Sequence, residues 1–291
     1  MSNSPSSAIV PRDPDRIRAL ASFVERHARV FVLTGAGVST SSGIPDYRDL
    51  DGSWKRRPPV QYGPFVREKP VRRRYWARSA LGWPGFARSR PGAAHDALAR
   101  LQRAGHVHAL VTQNVDRLHQ RAGSRCAVDL HGRLDRVICL GCGLTLLRDA
   151  VQKQLLAMNE EFEGRTIAPR PDGDSDLPDT EISRVRYPDC SQCGGVLMPD
   201  VVFFGGSVPP ERVQRCREAI EAADALLVVG SSLQVYSGFR FCRHAQRIGK
   251  PIGIINPGET RADPMASLRL NSEAAPLLSA VLAADLVEEL P

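Results

Sequence analysis

Four cysteines and one histidine carry the most specific chemistry in this chain. Cys139-Leu140-Gly141-Cys142 and Cys190-Ser191-Gln192-Cys193 are two Cys-x-x-Cys knuckles, each followed by glycine. Four thiolates at that spacing suit zinc, which accepts them tetrahedrally with no open position, so a structural rather than catalytic metal is expected. The knuckles stand further apart than in a compact zinc ribbon. The polar segment between them, Glu160 to Asp179, is rich in Pro, Gly and Asp and is expected to form a long mobile loop. Cys126, Cys216 and Cys242 have no partner at such spacing and read as buried packing.

His131 is the candidate general base. A histidine after a strand is commonly structural, but this one closes Val128-Asp129-Leu130-His131-Gly132, just before the first cysteine knuckle. Gln113-Asn114-Val115-Asp116 ends the preceding major strand. An amide, a carboxylate and an imidazole at neighbouring strand ends can orient a sugar and a carboxamide. Histidine is also the side chain whose unperturbed pKa lies nearest physiological pH. A third stretch, Val30 to Arg48, runs from an apolar strand into the turn Gly35-Ala36-Gly37. Such turns let backbone approach a ligand closely, and in α/β folds they hold pyrophosphates. This is not G-x-G-x-x-G: the third glycine is displaced to Gly43.

These groups need a scaffold, and the periodicity supplies one. Helical spacing is expected from Asp15 to Arg29, His95 to Ala104, Pro209 to Ala223, Phe239 to Arg247 and Ala274 to Ala284. Apolar strands are expected at Val30–Thr34, His108–Thr112, Ala127–Leu130, Ala225–Val229 and Ile252–Ile255. Apolar strands alternating with helices predict an α/β fold: a Rossmann-like parallel sheet with helices on both faces. Residues 47–90 change composition and read as a helical cap, with Gly82-Trp83-Pro84-Gly85 as a break. The predicted division is a Rossmann-like domain of residues 1–46, 91–134 and 200–291. A smaller module takes its helical part from 47–90 and its zinc knuckles from 135–199. Ligands of such sheets sit beyond the carboxyl ends of the strands, here Thr34/Gly35, Thr112/Gln113, Gly230/Ser231 and Asn256.

Composition sets bounds. The 291 residues are 42% hydrophobic and 24% charged, ordinary for a globular chain with a sizeable core. The formal charge of +7 is carried almost wholly by arginine, since Lys55, Lys69, Lys153 and Lys250 are the only lysines. The arginines are spread along the chain except around Arg67 to Arg78, so a nucleic-acid partner is not expected. No apolar run approaches the roughly 20 residues of a membrane span, and Met1 to Asp15 lacks the apolar stretch of a signal peptide. A cytoplasmic location and no membrane partner are expected, and paired cysteines in a reducing compartment point to metal rather than disulfides.

Taken together, the motifs resemble the sirtuins, NAD-dependent protein lysine deacylases, from about residue 15 onward. Gly35 to Ser39, Gly43-Ile44-Pro45, Thr112 to Asp116, His131-Gly132, both cysteine pairs, Val201 to Gly205, Gly230-Ser231-Ser232 and Asn256 stand in that family's order. Asp46-Tyr47-Arg48, Arg74-Tyr75-Trp76-Ala77-Arg78, Gly82-Trp83-Pro84 and Gln234 to Gly238 are similar to class II, the branch of mammalian mitochondrial sirtuin 4. The short N-terminal segment is expected of a bacterial member.

The resemblance implies that NAD is consumed as a co-substrate: the acyl oxygen of an acylated lysine attacks the nicotinamide ribose and nicotinamide leaves. It makes His131 the base toward a ribose hydroxyl and gives Asn114 the ribose to orient. Asp116 and Ile44 would hold the carboxamide. Gly35, Ala36, Gly37, Ser39, Pro45, Asp46, Tyr47, Arg48, Trp54, Gln113 and Val115 would line the pyrophosphate and nicotinamide side. Gly230, Ser231, Ser232, Asn256, Pro257 and Gly258 would take the adenosine half. Val202, Phe203, Phe204, Gly205, Val235 and Tyr236 would clamp the acyl-lysine peptide by strand addition. Tyr75 and Arg78 resemble a pair that holds an acidic acyl carboxylate in another sirtuin class, so glutaryl or hydroxymethylglutaryl groups are expected over acetyl. Gly206, where many sirtuins carry an acid, and Tyr47, where many carry Phe, depart from the pattern. Mono-ADP-ribosyl transfer, lipoamide removal or a non-catalytic NAD or ADP-ribose sensor remain alternatives. A hydride-transferring dehydrogenase does not fit the missing third glycine and the zinc module.

Overall fold

The computed structural model describes residues 13–47, 49, 53, 59–165, 167 and 177–284. Helix α1 (Pro14–Arg26) begins at Asp13, whose carboxylate accepts the N–H groups of Asp15 (3.1 Å) and Arg16 (3.3 Å), with Pro14 at the first helical position. Strand β1 (Val30–Thr34) leads into two short 3-10 turns, Ala36–Val38 and Thr40–Ser42. Then come α2 (Tyr62–Arg67), α3 (Lys69–Arg88), α4 (Ala93–Arg103), β2 (Val107–Thr112), α5 (Leu118–Arg121) and β3 (Ala127–Asp129). The cysteine-bearing segment holds β4 (Gly132–Cys139), β5 (Thr145–Leu147), α6 (Arg148–Met158), α7 (Asp179–Ile182) and β6 (Leu197–Val201). The chain closes with α8 (Pro210–Ala222), β7 (Ala225–Val229), α9 (Tyr236–Arg247), β8 (Ile252–Ile255), β9 (Leu268–Leu270) and α10 (Ala274–Ala283).

The larger sheet has the order β3-β2-β1-β7-β8-β9, and every pairing in it is parallel. Alternate residues of β1 serve two cores. Val30 and Val32 face a cluster with Leu20, Leu98 and Leu278; Phe31 and Leu33 face one with Val213, Phe241 and Cys242. Burial on both faces is why these strands read as unbroken apolar runs. The strand order steps outward from β1 in both directions, to β2 on one side and β7 on the other. The carboxyl end of β1 is therefore the topological switch point, where such sheets bind ligands.

The smaller module is built on the antiparallel sheet β5-β4-β6. Its core joins Phe65, Tyr75 and Trp76 to Val137, Leu155, Leu197 and Phe203. One expectation is overturned here. Gly82-Trp83-Pro84-Gly85 is not a break: α3 runs straight through Pro84 for 20 residues. Proline removes the N–H that would reach the carbonyl four residues earlier. That carbonyl, of Ala80, instead accepts from Gln152 Nε2 at 2.7 Å. Next to it, Arg148 Nη2 donates to the Ser79 carbonyl (3.2 Å) and hydroxyl (3.0 Å). Gln152 of α6 thus completes the backbone bonding that Pro84 leaves open, and Arg148 braces the neighbouring residue. Of the expected loop from Glu160 to Asp179, residues 166 and 168–176 lie outside the described residues, while Glu160–Phe162 form a 3-10 turn that buries Phe162 rather than open loop. Among the described residues, no helix is long and apolar enough to cross a membrane.

Candidate active site

A cleft of about 1490 Å³ opens at the switch point. Its walls include Gly35 and Ala36 after β1, Gln113 and Asn114 after β2, Gly230 and Ser231 after β7, and Asn256 after β8. All four predicted strand ends meet there. The turn after β1 can be so tight only because it is glycine: a Cβ on Gly35 would lie 2.7 Å from Ser231 Cβ and 2.8 Å from the Gly230 carbonyl. The Gly37 N–H donates to that same carbonyl at 2.9 Å. Gln113 ties three strand ends together, its Nε2 reaching the Thr34 carbonyl (3.3 Å) and Ser231 Oγ (2.9 Å).

His131 lies half-buried between β3 and β4 and lines the cleft. Its Nδ1 is 2.8 Å from the Gln113 carbonyl, and its Nε2 is 2.7 Å from Ser237 Oγ. A carbonyl can only accept, so Nδ1 carries the proton and Nε2 of the neutral ring is the basic atom. Burial pulls the His131 pKa down to about 4; the Gln113 carbonyl opposes this, and the Arg212 and Arg240 charges reinforce it. The ring is therefore unprotonated at neutral pH, the state a general base requires.

A small side pocket adjoins the cleft, lined by Ala36, Ser39, Ile44, Pro45, Tyr47 and Asn114 to Asp116. Behind it runs a buried polar chain. Ser39 Oγ donates to Asp116 Oδ2 at 2.7 Å and accepts from Asn114 Nδ2 at 3.0 Å. Asn114 Nδ2 also reaches the Gly35 carbonyl, and Asp116 Oδ1 accepts the Leu118 N–H. His95 backs Ser39 at 3.4 Å while its Nδ1 accepts the Gly92 N–H, so the proton of its neutral ring sits on Nε2. His119, tilted against His95, meets Thr34 Oγ1 at 2.9 Å.

Burial lowers the pKa of both histidines, that of His119 to about 3, with the neighbouring His95 adding to it. This has a pH consequence. The unfolded chain binds a proton at His119 below its ordinary value of 6.5, whereas the folded chain does so only near 3. The stability it contributes is complete above 6.5 and is lost as pH falls through that window, about 2 kcal/mol at about pH 5 from His119 alone, with His131 acting in the same direction. Calorimetry is expected to show Tm falling by several degrees between neutral pH and about pH 5. A Tm flat across that range would contradict it.

The remaining predicted site residues divide clearly. Asp46, Tyr47, Val115, Ser232, Pro257 and Gly258 line the cleft, as do Val202 to Gly205, Val235 and Tyr236. Arg48 and Trp54 lie outside the described residues. Tyr75 and Arg78 do not line the cleft. Tyr75 is 2% exposed, its ring packed against Phe65 (5.4 Å), Trp76 (5.2 Å) and Phe203 (5.3 Å), and only Phe203 of that cluster reaches the cavity. Gly206 has a steric reason: a Cβ there would lie 2.9 Å from the Phe203 carbonyl. The structure also adds residues that sequence reasoning missed. Ser237 and Arg240 enter the cleft from the first turns of α9, and His95 and His119 stand behind the side pocket. The run Gln234 to Gly238 signals Ser237 as part of the site, and nothing local in the sequence signals the histidines.

The cysteine pairs converge in the small module, with all four sulfur atoms within 4.8 Å of one another. Cys139 to Cys193 is 3.5 Å and Cys142 to Cys190 is 3.7 Å. Zinc–thiolate bonds of about 2.3 Å set tetrahedral sulfur–sulfur edges of about 3.8 Å, so the donor set fits. Two other glycines, one inside the first knuckle and one just beyond the second, allow it: a Cβ on Gly195 would stand 3.0 Å from both Cys139 and Cys193 sulfurs, and one on Gly141 3.2 Å from the Cys193 sulfur. Backbone N–H groups, of Cys142 first and Gly141 next, pull the Cys139 thiol down to about 6, toward the thiolate that a metal needs. Cys139, Cys142, Cys190 and Cys193 would hold one structural zinc, away from the cleft.

Comparison with known proteins agrees with this geometry. The Sir2 family model matches residues 35–237. A protein of Xanthomonas campestris pv. campestris named NAD-dependent protein deacetylase is 54% identical over 261 residues, covering 90% of this chain and 89% of that protein. The Bos taurus NAD-dependent protein lipoamidase sirtuin-4, mitochondrial, is 48% identical over 271 residues, covering 92% and 86%. A solved Sir2 structure with a p53 peptide and NAD+ superposes with a TM-score of 0.73 at 27% identity, covering 91% of this chain and 97% of the other. From the glycine turn after β1 to the helix that carries Ser237, the match is continuous, and the chain belongs to the Sir2 family, the sirtuins, as an NAD-dependent protein deacylase.

Proposed function

We propose that His131 Nε2 takes a proton from a ribose hydroxyl of NAD during transfer of an acyl group from lysine to ADP-ribose, with loss of nicotinamide. One observation carries this reading: the Gln113 carbonyl fixes the proton on Nδ1, so the basic nitrogen is the one on the cleft side, where four strand ends meet. Asn114 and Asp116, held by Ser39, orient the ribose and the carboxamide from the side pocket. The glycine turn accommodates the pyrophosphate, and Ser231, Ser232 and Asn256 the adenosine half. Val202 to Gly205 and Gln234 to Tyr236 form the two walls between which an acyl-lysine peptide lies. The zinc, when bound, supplies tertiary structure and no chemistry at the cleft. Four thiolates suit a reducing compartment, and the cytoplasm is the location we assign on that ground.

The acyl group we assign is acidic or branched, of the glutaryl or hydroxymethylglutaryl type. Tyr75 stands one ring behind Phe203, and Arg78 follows on the same helix, half-buried. A carboxylate that passes Phe203 would meet Tyr75, with Arg78 three residues further along the same helix. Arg78→Met is then expected to lower kcat/KM for a glutaryl peptide by about thirtyfold or more and to spare acetyl, the ordinary cost of removing one member of a buried charge pair. Tyr75→Phe should act in the same direction. Equal losses on both peptides would end this assignment. A second reading has its own observation: the cleft wall before Tyr75 is aromatic, which suits a long apolar acyl chain, and the bovine relative is named a lipoamidase. Nicotinamide release from NAD with one lysine peptide bearing acetyl, glutaryl, hydroxymethylglutaryl or lipoyl groups separates the two.

A further inference from the structure

Ser237 contacts the atom on which the proposed chemistry depends. A neutral imidazole has one lone pair on its unprotonated nitrogen, lying in the ring plane. Because the Gln113 carbonyl holds the proton on Nδ1, that lone pair is on Nε2. The Ser237 hydroxyl, 2.7 Å away, must be the donor to it. A ribose hydroxyl cannot give its proton to a lone pair that another O–H already holds.

The contact is built into the fold. Ser237 is the second residue of α9, and Gly238 brings the start of that helix against Gln113: a Cβ at position 238 would lie 2.4 Å from Gln113 Oε1. Gln113 is also the residue whose carbonyl holds the other end of the ring. Both ends of His131 are thus clamped by two segments that touch each other. The charged groups facing the ring, Arg212 of α8 and Arg240 of α9, are cations and offer no competing acceptor. Arg212 is occupied with the Leu130 carbonyl at 3.0 Å.

We propose that Ser237 caps the base: its hydroxyl holds His131 Nε2 until a ribose hydroxyl of NAD displaces it. The serine turns aside and keeps its own proton, and the ribose proton passes directly to Nε2. The cap makes NAD binding work against an existing hydrogen bond.

This inference rests on the reading of His131 as base, and the experiment separates the two. Steady-state nicotinamide release at saturating acyl peptide is measured for the wild type and for Ser237→Ala, Ser237→Cys, Ser237→Thr and His131→Ala, with thermal unfolding to confirm folding. Removing the cap is expected to lower KM for NAD by about three- to tenfold, the worth of one hydrogen bond, with kcat unchanged. Ser237→Thr, which keeps the hydroxyl, is expected to match the wild type. Ser237→Cys, a weaker donor, should fall between, and it serves as the test should the alanine variant not fold. An unchanged or raised KM in Ser237→Ala, with His131→Ala inactive, overturns the cap and leaves the base intact. A fall in kcat in Ser237→Ala would instead make the serine part of the proton path and also overturn it. Activity retained in His131→Ala would overturn both readings.

Discussion

His131→Ala is expected to reduce nicotinamide release with an acyl-lysine peptide by about 10²–10⁴-fold in kcat, the usual contribution of a positioned general base. The loss should fall on kcat, since the ring takes its proton only as the reaction proceeds. Folding should survive, because His131 is half-buried at a cavity and its two partners, the Gln113 carbonyl and the Ser237 hydroxyl, can turn to water there. The pH dependence has a sign that follows from the structure. A base works unprotonated, and burial holds His131 unprotonated down to about 4. The acid limb of kcat/KM should therefore lie well below the ordinary histidine value of about 6.5, and activity between neutral pH and about pH 5 should be limited by the stability of the fold rather than by this ring. A limb at the ordinary value would mean that the ring is solvated in the working enzyme. A His131→Ala protein with near wild-type kcat would exclude it as the base.

The large sheet is legible in the sequence because its strands are buried on both faces and punctuated by glycine or asparagine. β1, β7 and β8 occupy Val30–Thr34, Ala225–Val229 and Ile252–Ile255, the expected spans. The cleft follows from those strand ends, so the residues after them are legible with it. In the small module the cysteine site and the helical part are legible too, but its sheet and α6 are not, for reasons visible in their residues. β6, Leu197-Met198-Pro199-Asp200-Val201, contains a proline and an acid, tolerated because it is an edge strand and because Asp200 accepts from Arg136 Nε at 2.6 Å. The buried face of α6 consists of Arg148, Val151, Gln152 and Leu155. Half of it is polar, so no apolar periodicity marks it. Arg148 is 1% exposed, its guanidinium 5.5 Å from the Trp76 ring centroid and 5.2 Å from that of Trp83, and burial pulls it down to about 10. The tryptophans and Pro84 that resemble a sirtuin class in the sequence are, in the fold, the partners of two polar residues of α6 that lie 65 to 72 positions away. Such pairings are set by tertiary contact, and no local pattern reveals them. The contact between Ser237 and His131 escapes for the same reason.

Removing zinc should have the other large effect, although no thiolate touches the cleft. Structural zinc binding is worth about 10–16 kcal/mol in small domains, comparable to or greater than the roughly 5–15 kcal/mol that holds a whole domain folded. The four sulfurs are the ends of the three-stranded sheet's connections. Cys139 terminates β4, and Cys193 precedes β6 by a few residues. Without a metal, four crowded sulfur atoms within 4.8 Å of one another would lose the ion that holds them together, and Cys139 and Cys190 would leave two thiols in the module's core. That core includes Phe203, and β4 begins at Gly132, directly after His131. Loosening the module therefore removes one wall of the cleft and the anchor of the base together. Cys139→Ser or a strong chelator is expected to release about one zinc per chain and to lower Tm by well over about 10 °C, with deacylation lost in parallel. The Rossmann-like sheet has cores of its own and should melt later, giving two transitions. Cys216→Ala and Cys242→Ala are the controls. Their thiols are pushed up to about 11 and about 12 by burial, they pack against the larger sheet, and zinc content should stay unchanged. A Cys139→Ser protein with unaltered Tm, or a wild type that binds no zinc, would refute the metal's structural role.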